Sequence, residues 1–251
     1  MAERRRALVT GASYGVGAAT ALALAREGFD VAVTATTLEH LAATVAAVEK
    51  VGARVLPSVL DLRDPAAIAR KTGEIIASLG GLDLLVNNAG ANLRKNAVEV
   101  TPEEWDAVMD VNLRGTFFLT QEAGRHLIAA GRGGCIVNIA STYALIGAAE
   151  RSTYGISKAA LVGMTRMLAV EWAGHNIRVN AVAPGRLVTA SPSRAGKGAD
   201  PAYMEAMLKR IPLRRQASVE EVAAAVAYLA SPAAAAMTGQ TLVLDGGLTA
   251  A

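Results

Sequence analysis

Residues 7–17 read Ala7-Leu8-Val9-Thr10-Gly11-Ala12-Ser13-Tyr14-Gly15-Val16-Gly17, and an Ala/Leu-rich segment continues to Arg26. The short apolar run Ala7 to Thr10 predicts a strand, and the segment ending at Arg26 predicts a helix. Between them, glycines spaced by four and then two let the backbone turn sharply and lie close to a ligand. The helix N-terminus behind them offers unpaired N–H groups and a positive dipole end, which suits a pyrophosphate. A glycine trio alone is a weak signal. After a first strand and before a helix it predicts a dinucleotide-binding turn, made by Gly11, Ser13, Tyr14, Gly15, Val16 and Gly17.

Outward from this turn, short Val/Leu/Ile runs alternate with helical segments along the chain. The candidate strands are Ala7 to Thr10, Asp30 to Thr34, Arg54 to Leu60, Leu82 to Asn87, Cys135 to Ile139, Arg178 to Val182 and Thr241 to Leu244. Near-continuous apolar strands between helices belong to a parallel sheet covered on both faces. The expected fold is α/β: one Rossmann-type doubly wound domain over residues 1–251. Gly28 and Gly52 stand where a helix end wants a left-handed residue. Thr101-Pro102-Glu103-Glu104 and Ser218-Val219-Glu220-Glu221 read as helix starts with capping-box glutamates. The irregular stretch from Ala183 to about Pro201 reads as the heart of a substrate lid over residues 183–210.

Composition excludes several classes. The 251 residues are 52% hydrophobic but only 4% aromatic, and 25 basic against 22 acidic side chains leave a net charge of +3. That balance argues against a nucleic-acid grip, although the isoelectric point is near 9.2. A mean hydropathy of +0.32 coexists with no run of about 18 apolar residues, so no membrane span is expected. The single cysteine, Cys135, has no partner in the chain, and His40, His126 and His175 lack ligand spacing; neither a disulfide nor a metal site is expected. Arg4, Arg5 and Arg6 before an apolar stretch imitate a signal peptide, but Gly11, Ser13, Gly15 and Gly17 break its core. The expected location is the cytoplasm.

Two further stretches bear on chemistry. A carboxylate at the end of the second strand would read a free ribose 2′-hydroxyl; here Ala35 is followed by Thr36 and Thr37, neutral hydroxyls that tolerate a 2′-phosphate, so NADP(H) is favoured over NAD(H). Tyr14 stands in the turn where an Arg would strengthen that reading. In Tyr154-Gly155-Ile156-Ser157-Lys158 a phenol and an ammonium four residues apart share one helix face. A nearby cation favours the phenolate and tunes an otherwise poor acid toward giving its proton to a developing alkoxide.

Together these stretches resemble the short-chain dehydrogenase/reductase family over essentially the whole chain. Thr10 to Gly17 match its T-G-x-x-x-G-x-G. Asp61 after the third strand, Asn87-Asn88-Ala89-Gly90 after the fourth, Asn112, Ser141, Tyr154 with Lys158, and Pro184-Gly185 followed by Thr189 fall in their family places. The resemblance implies hydride transfer between a nicotinamide and a carbonyl or secondary alcohol. By it, Tyr154 is the proton donor and Ser141 bonds the same oxygen. Lys158 lowers the Tyr154 pKa and holds a ribose, while Asn112 anchors a water in a proton relay. Asp61 and Leu62 would meet the adenine, Asn88, Ala89 and Gly90 the adenosine side, and Leu187 and Thr189 the carboxamide and phosphate side. A homotetramer is implied too, with the helices bearing Asn112 and Tyr154, together with the C-terminal segment, at its interfaces.

For the substrate, Arg94, Lys95, Arg151, Arg186, Arg194 and Lys197 fall in segments expected to rim the pocket, where an anionic or carrier-bound substrate could be met. The overall pattern is most like 3-oxoacyl-carrier-protein reductases; the alternative is a sugar-acid or polyol dehydrogenase, to which Asn92-Leu93-Arg94-Lys95 looks closer. A non-catalytic dinucleotide-binding regulator on the same fold would be expected to lack Tyr154 or Lys158; both are present.

Overall fold

The computed structural model describes residues 4–187 and 201–251. Its seven strands form one parallel sheet in the order β3-β2-β1-β4-β5-β6-β7. They are β1 (Arg5–Val9), β2 (Phe29–Ala35), β3 (Val55–Val59), β4 (Leu84–Asn87), β5 (Gly134–Ile139), β6 (Ile177–Pro184) and β7 (Thr241–Leu244). The helices are α1 (Gly15–Arg26), α2 (Ala42–Glu49), α3 (Pro65–Leu79), α4 (Pro102–Met109), α5 (Thr116–Ala130), α6 (Ser152–Trp172), α7 (Pro201–Lys209) and α8 (Val219–Ala230). The seven strands expected from sequence are these seven, with ends shifted by a few residues. β1, for instance, begins at Arg5, whose guanidinium lies 4.1 Å from the centre of the Phe29 ring.

Alternation along the strands builds two cores. Ala7, Val9, Val31, Val33, Val86 and Val137 pack on one face with Leu24 of α1 and Val222, Val226 and Leu229 of α8. Leu8, Ala32, Leu85 and Ile136 pack on the other with Ile68 and Ile75 of α3, Leu119 and Leu127 of α5, and Leu161 and Leu168 of α6. Each fully buried Leu or Val side chain contributes on the order of 1.5–3 kcal/mol relative to exposure. Cys135 lies in the first of these cores, and burial pushes its thiol up to about 11, so it serves as a small apolar side chain.

The helix signals behave as their chemistry requires. Thr101 and Ser218 each close a full capping box, and Gly28 and Gly52 adopt φ of +84° and +75°. Asp64, with Pro65 behind it, caps α3 by accepting from Ala66 and Ala67. The expected lid is corrected at both ends. Ala183 and Pro184 complete β6, held there by pairing with Val243 and Leu244, and residues 201–209 are helical; residues 188–200 lie outside the described residues. Between α4 and α5 the chain makes a π-helical turn, Asp110–Gly115. Gly115 is required there: a Cβ on it would run into the Leu62 carbonyl and lie 2.9 Å from Asp110 O.

The strand order reverses between β1, which pairs with β2 on one side, and β4 on the other. In such sheets the crevice at the carboxyl ends of the strands at this switch point receives the ligand.

Candidate active site

A cleft of about 1610 Å³ opens at that switch point, lined by loops that follow β1 through β6. Its floor starts at the glycine turn. Gly11 and Gly15 have φ of +63° and +60°, and a Cβ on Gly17 would collide with the Gly11 carbonyl and come within 2.6 Å of Asn88 Nδ2. Thr10 Oγ1 accepts from the Asn88 and Ala89 N–H groups at 3.0 and 3.1 Å, and Asn88 Nδ2 donates to Thr10 O and Gly11 O. The loops after β1 and β4 are thus sewn together beside the cleft. At the start of α1, Tyr14 has extended backbone and makes no side-chain capping bond, so the first N–H groups of the helix keep their donors for a ligand.

At one end of the cleft, Ala35, Thr36, His40, Asp61, Leu62 and Arg63 come together. Arg63 pairs with Asp61 through Nε at 3.0 Å and Nη2 at 2.5 Å, and this hydrogen-bonded guanidinium holds the Asp61 carboxyl below the usual carboxylate range. Towards the other end, Ser141 follows β5 by two residues and accepts from Tyr143 N at 3.2 Å. Tyr154 and Lys158 rise from the first turns of α6. Their relation is close: Lys158 Nζ is 5.8 Å from the centre of the Tyr154 ring, and the Tyr143 ring stands edge-on to Tyr154 with centres 6.3 Å apart. Lys158 is 4% exposed and donates to Ile139 O at 2.8 Å.

Asn112 lies in the π-helical turn, 1% exposed, behind Gly90. Its Oδ1 accepts from Ala91 N at 2.7 Å, while Nδ2 donates to Ala91 O and to Ser157 Oγ, both at 2.9 Å. Ser157 donates in turn to Tyr154 O at 2.7 Å. π-turns recur at functional sites because the extra residue re-aims a side chain; here it joins the loop after β4 to the start of α6.

Of the residues expected in the site, Gly11, Ser13, Tyr14, Gly15, Val16, Thr36, Asp61, Leu62, Asn88, Ala89, Gly90, Ser141, Tyr154, Lys158, Pro184, Gly185 and Leu187 line the cleft. Gly17 and Asn112 are buried just behind that lining, and Thr189 is outside the described residues. Among the described residues no group of His, Cys, Asp or Glu is arranged to hold a metal, and no helix is long and apolar enough to cross a membrane.

Comparison with known proteins then places the chain. A family model described as enoyl-(acyl carrier protein) reductase matches residues 11–249. The 2-dehydro-3-deoxy-D-gluconate 5-dehydrogenase of Escherichia coli is 37% identical over 98% of this chain and 95% of that protein. A 3-oxoacyl-[acyl-carrier-protein] reductase of Thermotoga maritima is 39% identical over 98% of both. A solved structure from Agrobacterium tumefaciens, described as a 2-deoxy-D-gluconate 3-dehydrogenase with bound NADP, superposes with a TM-score of 0.92 at 39% identity, covering 100% of this chain and 98% of that one. The chain belongs to the short-chain dehydrogenase/reductase family. It is an oxidoreductase of CH–OH and C=O groups, and these comparisons give no support to a regulator without catalysis.

Sequence reasoning missed several residues of this short-chain dehydrogenase/reductase. Arg63 carried a signal in its position two residues after Asp61. Ser157 sat inside the Tyr-to-Lys spacing without being read. His40 and Tyr143 had no local signal at all. Lys95, expected at the rim, instead pairs with the capping-box Glu104 at 2.8 Å.

Burial pushes the Lys158 ammonium of this dehydrogenase/reductase down to about 8 from an ordinary 10.5. Between those values the unfolded chain binds more protons than the folded one, so stability rises with pH across that window. In urea denaturation without cofactor, the deficit of wild type relative to Lys158→Met should shrink by about 2 kcal/mol between pH 7 and pH 9.5. A pH-independent difference would show that no charge is being desolvated at Lys158.

Proposed function

We propose that this chain transfers hydride between NADP(H) and a small oxo or hydroxy compound, with Tyr154, Ser141, Lys158 and Asn112 as its catalytic group. One observation carries the reading: a buried lysine lies one helical turn from a half-buried tyrosine, in a cleft that begins at a glycine turn. The cleft residues fit a dinucleotide. The turn has no room for a Cβ at Gly17, and the start of α1 keeps donors for a pyrophosphate. Asp61 and Leu62 would hold the adenine, Asn88, Ala89 and Gly90 the adenosine side, and Pro184, Gly185, Leu187 and Thr189 the nicotinamide side. When bound, the nicotinamide gives or accepts the hydride.

The chain's own groups move the proton. In reduction, Tyr154 gives its hydroxyl proton to the carbonyl oxygen as negative charge grows there, and Ser141 donates a hydrogen bond to the same oxygen. The Lys158 ammonium stabilises the phenolate left behind. Asn112 fixes the loop at Ala91 and, through Ser157, the backbone of Tyr154, and serves the water relay that ends at Lys158.

Three observations support NADP(H) over NAD(H): no carboxylate stands at the end of β2, where Ala35 is followed by Thr36 and Thr37, His40 and Arg63 line the cleft with Thr36, and an Agrobacterium relative is described with NADP. Of the two substrate readings, an acyl-carrier thioester and a sugar acid or polyol, a sugar acid is favoured, because Arg94, Arg151, Arg186 and Arg210 line the cleft itself, where a sugar acid brings its own carboxylate and a polyol or thioester brings no charge. Self-association as a homotetramer is supported by an exposed apolar face of α5 and α6, where Phe117, Phe118 and Met167 stand out. The unpaired, buried Cys135 suits the reducing cytoplasm.

The test follows the reduced-nicotinamide absorbance with NADPH and NADH against acyl thioesters, oxo sugar acids and simple ketones. The expected result is turnover with at least about tenfold higher kcat/KM for NADPH, corresponding to about 1.4 kcal/mol. No turnover with any pairing overturns the reading, and a preference for NADH overturns its cofactor part.

A further inference from the structure

Two loops wall the substrate end of the cleft, residues 91–96 after β4 and residues 142–151 between β5 and α6. They are tied to each other by polar contacts. Lys95 N donates to Glu150 O at 3.0 Å, Arg151 Nη1 donates to Asn92 Oδ1 at 2.8 Å, and Arg94 Nε meets Glu150 Oε2 at 2.6 Å. The Arg151 guanidinium lies 5.9 Å from the centre of the Tyr143 ring, which itself stands against Tyr154. Arg94 and Arg151, one from each loop, therefore both line the cleft that holds the phenol.

The charge around them is one-sided. Among the described lining residues the sole carboxylate is Asp61, at the opposite end and engaged with Arg63. Glu150, just outside that lining, is held in an uncommon state. Its φ of +61° is left-handed in a residue with a Cβ, a strained conformation that persists where surroundings enforce it, often at ligand sites. Here its carbonyl and its carboxylate are both fixed, and the carboxylate presents to Arg94 the same group an organic acid would present.

We propose that Arg94 and Arg151 form a carboxylate-binding subsite for the substrate, and that Glu150 is the resident counter-ion that the incoming carboxylate supplants on Arg94. This rests on the oxidoreductase reading and narrows it to oxo and hydroxy acids, whose charged group enters the cleft while the reacting carbon faces Tyr154. A carrier-bound thioester has no such group beside its oxo carbon. The planar guanidinium fork suits a carboxylate, and charge-assisted bonds of this kind are about twice as strong as neutral ones.

The test compares 2-, 3- and 5-oxo-D-gluconate with their methyl esters, using the full chain and whichever nicotinamide it prefers. The expected result is a kcat/KM at least about tenfold higher for an acid than for its ester. Arg94→Gln and Arg151→Gln should raise KM for the acid by about 10- to 100-fold, change kcat less than about threefold, and erase the acid preference. Glu150→Gln should act oppositely and lower KM for the acid by about threefold or more, a gain that misfolding cannot imitate. Equal kinetics for acid and ester, an acid preference that survives both arginine variants, or a raised KM in Glu150→Gln overturns the subsite and leaves the oxidoreductase reading standing. Turnover of no oxo compound with either cofactor overturns that reading, and the subsite with it.

Discussion

Tyr154→Phe is expected to lower kcat by about a thousandfold while leaving NADPH affinity and the melting temperature near wild type. The ring and its edge-on contact with Tyr143 are kept, so the only loss is the hydroxyl whose proton is transferred. Positioned general acids contribute typically about 10²–10⁴-fold, and its neighbours in the described cleft are poor substitutes: the Ser141 hydroxyl, which accepts from Tyr143 N, is a much weaker acid than a phenol, and Lys158 Nζ is buried and donates to Ile139 O. Steady-state rates and cofactor titration by fluorescence check the two halves of the expectation. A variant within tenfold of wild-type kcat would remove Tyr154 from the proton transfer.

The second large effect is structural. Gly17→Ala should weaken NADPH binding by about tenfold or more and lower the melting temperature by about 3–10 °C. The added methyl meets the Gly11 carbonyl, lies 2.6 Å from Asn88 Nδ2 and 2.9 Å from Ala12 Cα, and two of these contacts are backbone that cannot swing aside. Overpacking of this kind costs about 1–3 kcal/mol, or about 2–4 °C per kcal/mol in a chain of this size. Because Asn88 Nδ2 also bonds Thr10 O and Gly11 O, the strain reaches the loop after β4 as well as the turn. Calorimetric melting and titration with NADPH measure both. An alanine variant with unchanged melting temperature and affinity would mean that the turn relaxes freely.

Much of this architecture was legible because it is local. Alternating apolar runs name the seven strands, and Thr101 and Ser218 announce their helices through contacts three residues long. The glycine turn is legible for the same reason, since strand, turn and helix are contiguous. What escaped depends on distant partners. The π-turn under Asn112 has no sequence period, and the need for Gly115 in it comes from the Leu62 carbonyl, far back in the chain, which a Cβ there would meet. Ser157 looks like an ordinary helical serine until Asn112, 45 residues earlier, bonds it. Lys95 looked like part of a basic rim because Glu104 had been read as a cap alone; that carboxylate serves both. The upper end of the expected lid failed differently: the Gly- and Ser-rich stretch hides that its last ten residues are mostly helix.

The position of β1 has a consequence for how the chain is made. Of the seven described strands, the first to be synthesised is an inner strand of the finished sheet, paired with β2 on one side and with β4, whose Leu84 faces Ala7, on the other. Until residue 84 and its neighbours have emerged, β1 keeps one row of amides and carbonyls without its partner, beside apolar side chains that belong in two cores. At translation speeds of about 5–20 residues per second, the intervening stretch takes several seconds. For that interval the stretch from β1 to β3 carries an exposed, half-paired strand edge, and it is the period in which a chaperone has most to protect.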